Sequence, residues 1–187
     1  MRERFPIPRL LLLWATLFLA PATQALAAPP RLPAVIGDGM VLQRETRVPI
    51  WGWAAPGEAI TVRFAGQVKR GMADANGRWR ADLDPLPASA SPATLTIACA
   101  ETVEVTDVLV GDVWLCSGQS NMQMGLAKSA EGDAAVAAAD HPAIRLFSVA
   151  NHIRPAGEDV TGKWSACSPA TAARFSAVGY YFGWASP

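Results

Sequence analysis

The stretch Val110-Gly111-Asp112-Val113-Trp114-Leu115-Cys116-Ser117-Gly118-Gln119-Ser120-Asn121-Met122 decides how this chain is read. Its first half is apolar and strand-like. It ends abruptly in Gly-Gln-Ser-Asn, the composition of a tight turn carrying one hydroxyl. Two readings fit. Ser and Asn both favour the N-cap of a helix, where a side-chain oxygen accepts an orphan backbone N–H. A serine placed where a strand gives way to a helix is also held out at the carboxyl end of a sheet. Open α/β sheets bind ligands there, and hydrolases present a nucleophile in that way.

Outward from this stretch toward the carboxyl end, an apolar strand (Val108 to Cys116) leads into the serine turn. Asp133 to Ala139 follows as a helix former with an acidic start. After Pro142, Ile144 to Val149 reads as a second strand. Strand, helix, strand is the opening unit of a parallel α/β sheet. From Ala172 to Trp184, Phe175, Val178 and Phe182 recur at helical spacing, and that helix is expected to cover the sheet.

Toward the amino end, about Leu32 to Asp107 reads as β structure. Short runs rich in Val, Ile, Thr and Trp recur at Val48–Trp53, Ala59–Phe64, Arg78–Leu83 and Thr94–Cys99, bounded by turn formers such as Pro56-Gly57 and Pro85-Leu86-Pro87. Asn76-Gly77 reads as a type I′ hairpin turn, with positive φ at both central residues. The expected fold class is mixed: a small antiparallel β-sandwich over 28–107, then the start of an α/β domain with a parallel sheet over 108–187, truncated.

Residues 1–27 stand apart. Arg2, Arg4 and Arg9 precede an apolar run of eleven residues, Leu10 to Ala20, and Ala25-Leu26-Ala27 supplies small cleavage-site residues. That is the three-part pattern of a secretory signal peptide, with cleavage expected after Ala27 and export to the periplasm or beyond. The alternative is an uncleaved anchor, but the run is well short of the ~20 residues that span a bilayer. No stable membrane span is expected after cleavage.

Composition narrows the partners. The chain has 187 residues, 51% of them hydrophobic, which allows one ordinary domain or two small ones with real cores. Its formal net charge is zero, and no Lys/Arg cluster interleaves with aromatics, so nucleic acid is not an expected partner. Seven tryptophans are numerous for this length and either stack on sugars or fill cores. Of the three cysteines, Cys116 and Cys167 can pair in an oxidising compartment with Cys99 buried, or all three stay free. No CxxC or His/Cys cluster points to a metal, and no motif points to a cofactor.

Several separate motifs, in one order, resemble the sialate O-acetylesterase family, a branch of the SGNH hydrolases. Val110 to Met122 resembles its nucleophile block. Gly39-Met40-Val41-Leu42-Gln43-Arg44, Val48-Pro49-Ile50-Trp51-Gly52-Trp53-Ala54, Pro56-Gly57-Glu58 and Asp74-Ala75-Asn76-Gly77-Arg78-Trp79 resemble its amino-terminal region. Phe175-Ser176-Ala177-Val178-Gly179-Tyr180-Tyr181-Phe182-Gly183 resembles the helix after the first part of its catalytic domain. The likeness runs from about Leu32 to Gly183.

The resemblance implies that 108–187 is the amino-terminal part of an SGNH-like hydrolase domain and that Ser120 is the nucleophile. Gly118 would supply the tight turn, with Gln119 and Asn121 supporting it and the oxyanion site. The substrate implied is an acetylated carbohydrate, with no cofactor. The family's catalytic histidine lies in an Asp-x-x-His block near the far end of a longer domain, and that block is absent here. Later glycine and asparagine blocks that give the family's oxyanion donors are missing or have no placeable counterpart here, so the chain by itself is expected to be a poor enzyme or none. The only histidines are His141 and His152. His152, expected just after the second strand on the same sheet edge as Ser120, is the local candidate base, or else a solvated loop residue. Asp107 and Asp112 read as turn-shaping residues, and Trp164 as a core or cleft residue. Three functions stay open: an esterase acting on O-acetylated sialic acid, an acetyl-xylan-type esterase, and a non-catalytic carbohydrate-binding product.

Overall fold

Alternation of apolar and polar side chains builds the first part of the chain. In β3 (Ala59–Phe64) Ile60, Val62 and Phe64 are buried while Ala59 and Arg63 are exposed. This is the period of a strand with one face on a core. β2 (Val48–Trp53) buries Val48, Ile50 and Gly52, and β5 (Arg78–Leu83) buries Trp79, Ala81 and Leu83, by the same rule. The computed structural model describes residues 28–150 and 159–186; the expected signal peptide (1–27) and His152 lie outside them.

β1 (Val41–Gln43), β4 (Gln67–Met72), β6 (Ser89–Ala98) and β7 (Thr102–Gly111) complete this part. One sheet has the order β1-β7-β6-β3-β4, and β2 and β5 pair separately. Both sheets send side chains into one cluster that includes Ile50, Val62, Trp79, Leu83, Leu95 and Val108. Pairing is antiparallel except between β1 and β7, which run parallel with Val41 opposite Leu109. That corrects the purely antiparallel expectation.

The hairpin turns also differ from expectation. Gly77 has φ +78, but Asn76 is not among the positive-φ residues. Gly77 N–H donates to Asp74 O, and the Asp74 carboxylate accepts from the N–H groups of Asn76 and Arg78. The aspartate side chain thus organises a turn that needs a left-handed residue only at its end. The two-residue turn with positive φ at both positions is Ala65-Gly66, joining β3 to β4.

The apolar run Val108–Cys116 is not one strand. β7 passes through the expected 107/108 boundary and stops at Gly111, because Val108, Leu109 and Val110 find partners in β6 and β1. Residues 112–118 follow without strand pairing among the described residues, leaving Trp114 60% and Leu115 91% exposed. The next elements are α1 (Ser120–Gln123), a 3-10 turn (Leu126–Lys128) and α2 (Gly132–Ala137). β8 (His141–Phe147) and β9 (Trp164–Cys167) then pair antiparallel, not as a parallel sheet. β8 starts earlier than expected, carrying Pro142 across a register shift between His141 and Arg145.

α3 (Pro169–Ala172) and α4 (Ala177–Ala185) finish the described chain. α4 buries Ala177, Gly179 and Tyr180, while Val178 and Phe182 stay nearly half exposed. The expected stripe of Phe175, Val178 and Phe182 is therefore not the buried face; Phe175 alone of the three packs on the second cluster, formed by Leu126, Ala139, Leu146, Cys167, Ala172 and Tyr180 with Ala177. Cys116 is exposed and Cys167 buried, so they do not pair, and all three cysteines are free.

The two clusters are tied by β8 and β9. Arg145 donates both terminal nitrogens to Asp107, and its Nη1 also reaches Gly39 O at 3.3 Å. Trp164 Nε1–H donates to Val35 O at 2.9 Å, and its ring tilts on Phe147 with centroids 5.2 Å apart. Trp164 is thus a packing residue at the seam.

Candidate active site around Ser120

The direction of the serine segment is set at the end of β7. Arg44 N–H donates to Gly111 O at 2.9 Å, and Arg44 Nε donates to the Asp112 carboxylate at 2.9 Å. Gln43 Oε1 accepts the Val113 N–H at 2.8 Å. The hydrogen bond from Arg44 holds the Asp112 carboxyl below its ordinary range. Two side chains from β1 and its exit thus grip the backbone as it leaves the sheet. Nothing in local sequence signals this, since the Gln43–Asp112 and Gln43–Val113 partners are 69 and 70 positions apart.

Beyond Val113 the chain runs along α4. Trp114 meets Phe182 edge-on with ring centroids 5.1 Å apart. Gln119 is extended (φ −106, ψ −155), and Ser120 is the first residue of α1. The short helix is tied to the amino end of α4: Ser176 Oγ–H donates to Met122 Sδ at 3.2 Å, and Ala177 N–H donates to Met124 O at 2.8 Å. Ser176 Oγ also accepts the Gly179 N–H and so caps α4.

Gly118, Gln119, Ser120 and Asn121 are consecutive and exposed. The N-cap of α1 is Gln119, not Ser120, and its side chain makes no cap hydrogen bond. Gly118 is not among the glycines with positive φ. The Ser120 hydroxyl faces solvent with no side-chain hydrogen bond among the described residues. His141 begins β8 opposite Cys167. Asp107 lies within β7, not in a turn; it has φ +57 where the pairing with β6 shifts register, and it carries the ion pair with Arg145. Asp112 is likewise engaged by Arg44. Neither carboxylate is free to orient a base. Among the described residues, no three metal-ligating side chains come together, and no helix is long and apolar enough to cross a membrane.

The arrangement offers an accessible hydroxyl on a short helix following an extended segment. No protein-family model matches the chain. Over 131 residues it is 36% identical to the sialate O-acetylesterase of Mus musculus, covering 64% of this chain and 24% of that protein. Over 154 residues it is 32% identical to the sialate O-acetylesterase of Rattus norvegicus, covering 76% of this chain and 28% of that protein. A solved carbohydrate acetylesterase from Xanthomonas citri superposes with a TM-score of 0.78 and 42% identity, over 82% of this chain and 36% of that one. The chain is a relative of the sialate O-acetylesterases. It spans about a quarter of the length of the curated relatives it matches, which are esterases by name. The mixed, sheet-dominated fold with few helices is shared with the acetylesterase structure.

Proposed function

We propose that Ser120 is the nucleophile of a serine carboxylic-ester hydrolase that removes O-acetyl groups from sialic acid or a related acetylated sugar. In this reading an exported precursor loses residues 1–27. Residues 28–107 form a β-sandwich, and 108–187 form the amino-terminal part of an SGNH-like domain. The observation that carries the reading is Ser120 itself, exposed at the start of a helix in a chain related to acetylesterases.

Ser120 Oγ attacks the acetyl carbonyl carbon as a base takes its proton. The ester bond then breaks, and the sugar oxygen leaves with that proton. Water hydrolyses the acetyl-serine, releasing acetate. The Ser120 backbone N–H and the neighbouring Gly118, Gln119 and Asn121 would support the turn and the developing oxyanion. The base and its orienting carboxylate must come from residues other than Asp107 and Asp112, which are engaged elsewhere. That same engagement favours a second reading, carbohydrate binding without catalysis by the 187-residue chain.

The test compares the chain with its Ser120→Ala variant on an activated acetyl ester. It then repeats the comparison on O-acetylated sialic acid and acetylated xylan with the chain joined to a segment carrying an Asp-x-x-His block. The 187-residue chain should be no faster than its variant, because losing base and orienter costs several orders of magnitude. The joined protein should release acetate only with Ser120 present. Release that survives Ser120→Ala would remove the assignment.

A further inference from the structure

Residues 113–127 and 175–185 contain no charged side chain. In the fold these two stretches lie together. Trp114 meets Phe182 edge-on, and Cys116 Sγ stands 3.6 Å from where a Cβ on Gly179 would be. Leu115, between the two residues that rest on α4, is 91% exposed. α4 has no polar face, since its nine residues are alanine, valine, glycine and aromatics. Val178, Phe182 and Trp184 are nevertheless about half exposed. A helix that is apolar all round is ordinarily a buried one.

The backbone beside that helix is unpaired as well. Among the described residues, no N–H or C=O of residues 114–117 takes part in a hydrogen bond, and the Val113 N–H is met only by the Gln43 side chain. An apolar segment open along both edges is a template for added strands. Natural proteins blunt such edges with charges or proline, and residues 113–117 contain neither.

The unpaired backbone narrows the occupant to polypeptide, because a lipid surface would cover the side chains and leave these polar groups unsatisfied. Two copies of the chain pairing edge to edge would each keep one edge open. The carbohydrate acetylesterase from Xanthomonas citri supplies the scale: 82% of this chain overlays only 36% of it, so most of that fold packs on surfaces that are open here. The exposed side of the larger sheet carries Arg63, Arg70 and Glu104, which does not suit such packing. We propose that residues 113–117 and the bare side of α4 are a preformed docking surface. It takes the strand-bearing remainder of an acetylesterase domain as a second polypeptide, without a covalent joint. Ser120 follows at the carboxyl end of the segment, so parallel strands added beside it end where a base is required. The identity of the occupant rests on the Ser120 reading.

The experiment coexpresses the full chain with the part of the Xanthomonas citri acetylesterase that has no counterpart in it, made as a separate polypeptide. The pair should be recovered as a soluble one-to-one complex, identified by light scattering. Amide exchange at residues 114–117 should slow about tenfold or more in the complex. Leu115→Lys changes a side chain that faces solvent, so the free chain stays folded, and docking should weaken about tenfold or more because a charge is buried. Val178→Lys should act in the same direction from α4, and Arg70→Glu on the larger sheet should change nothing. Failure to recover a complex, a complex in which residues 114–117 stay unprotected, or equal affinity for Leu115→Lys and the parent overturns the proposal. A dimer of the chain alone that protects residues 114–117 also overturns it, by making the occupant a second copy. Serine-dependent acetate release by the covalently joined protein, with no complex between the separate polypeptides, removes the docking surface alone. A complex with residues 114–117 protected and no serine-dependent release removes the nucleophile assignment and leaves the docking surface standing.

Discussion

Arg145 and Asp107 form a two-pronged ion pair across the seam between the two hydrophobic clusters, with Nη2 2.9 Å from Oδ1 and Nη1 donating to Oδ2. The arginine side chain is 6% exposed and the aspartate 46%, so the buried end of the pair is the guanidinium. Arg145→Met keeps the stem but removes donors to Asp107, Gly39 O and Pro142 O. Water around Asp107 weakens the pair, but the two carbonyls lose charge-assisted partners. The expected loss is about 1–3 kcal/mol, read as a lower denaturation midpoint. A change below about 0.5 kcal/mol would place the seam's stability elsewhere.

Asp107 also sets an acid dependence. The hydrogen bond from Arg145 holds its carboxyl below the ordinary range, outweighing the desolvation that opposes it. A carboxyl depressed in the folded state stabilises fully above its unfolded value of about 3.9 and loses that contribution as pH falls through the lower folded value. Asp107→Asn should therefore be less stable than the parent at neutral pH and show a flatter acid limb. Stability measured from about pH 5 to pH 2 checks it; parallel curves for the two proteins would contradict it.

The free thiols should react in order of exposure. Cys116 is exposed, Cys99 half-buried and Cys167 buried. Burial pushes the Cys99 and Cys167 thiols up, which lowers their thiolate fraction as well as their access. A chromogenic disulfide reagent should label Cys116 first and Cys167 only on unfolding. Failure of Cys116 to react in the non-reduced protein would mean that it is blocked or bridged.

Two glycines with nearly the same φ separate strain from crowding. Gly77 has φ +78 and an added Cβ would fall 2.5 Å from Ala54 O, whereas Gly66 has φ +77 and open space. Gly66→Ala should cost about 1 kcal/mol, the penalty of a left-handed alanine. Gly77→Ala should cost about 2 kcal/mol or more, because the turn must also move. Equal losses in thermal unfolding would show that the contact with Ala54 relaxes freely.

Strands that alternate were readable from sequence. Val48–Trp53, Ala59–Phe64 and Arg78–Leu83 stand at those residues because one face is apolar. β4 was not, since Val68 and Met72 point outward with Lys69 and Arg70 beside them, as an edge strand allows. The Val108–Cys116 run looked like one strand because hydrophobicity records appetite for burial, not the point where partners end. Asn76-Gly77 drew the hairpin prediction while Ala65-Gly66 held it, since alanine gives no local sign of a left-handed conformation. That the chain turns into a short helix at Ser120 was legible from composition. Its anchors in Gln43 and Arg44 were not, because contacts across some 70 positions leave no periodicity.

Those anchors bear on how the protein tolerates being cut. The residues that aim the serine segment are made early in synthesis, and the segment they aim is made much later. Proteolytic trimming past Arg44 would leave every residue from Gly118 to Asn121 untouched. It would still remove the parallel partner of β7 and both side chains that turn the chain out of the sheet. An amino-terminal clip of that kind would release the Ser120 segment from the direction it now takes, with its own neighbourhood in the sequence fully intact.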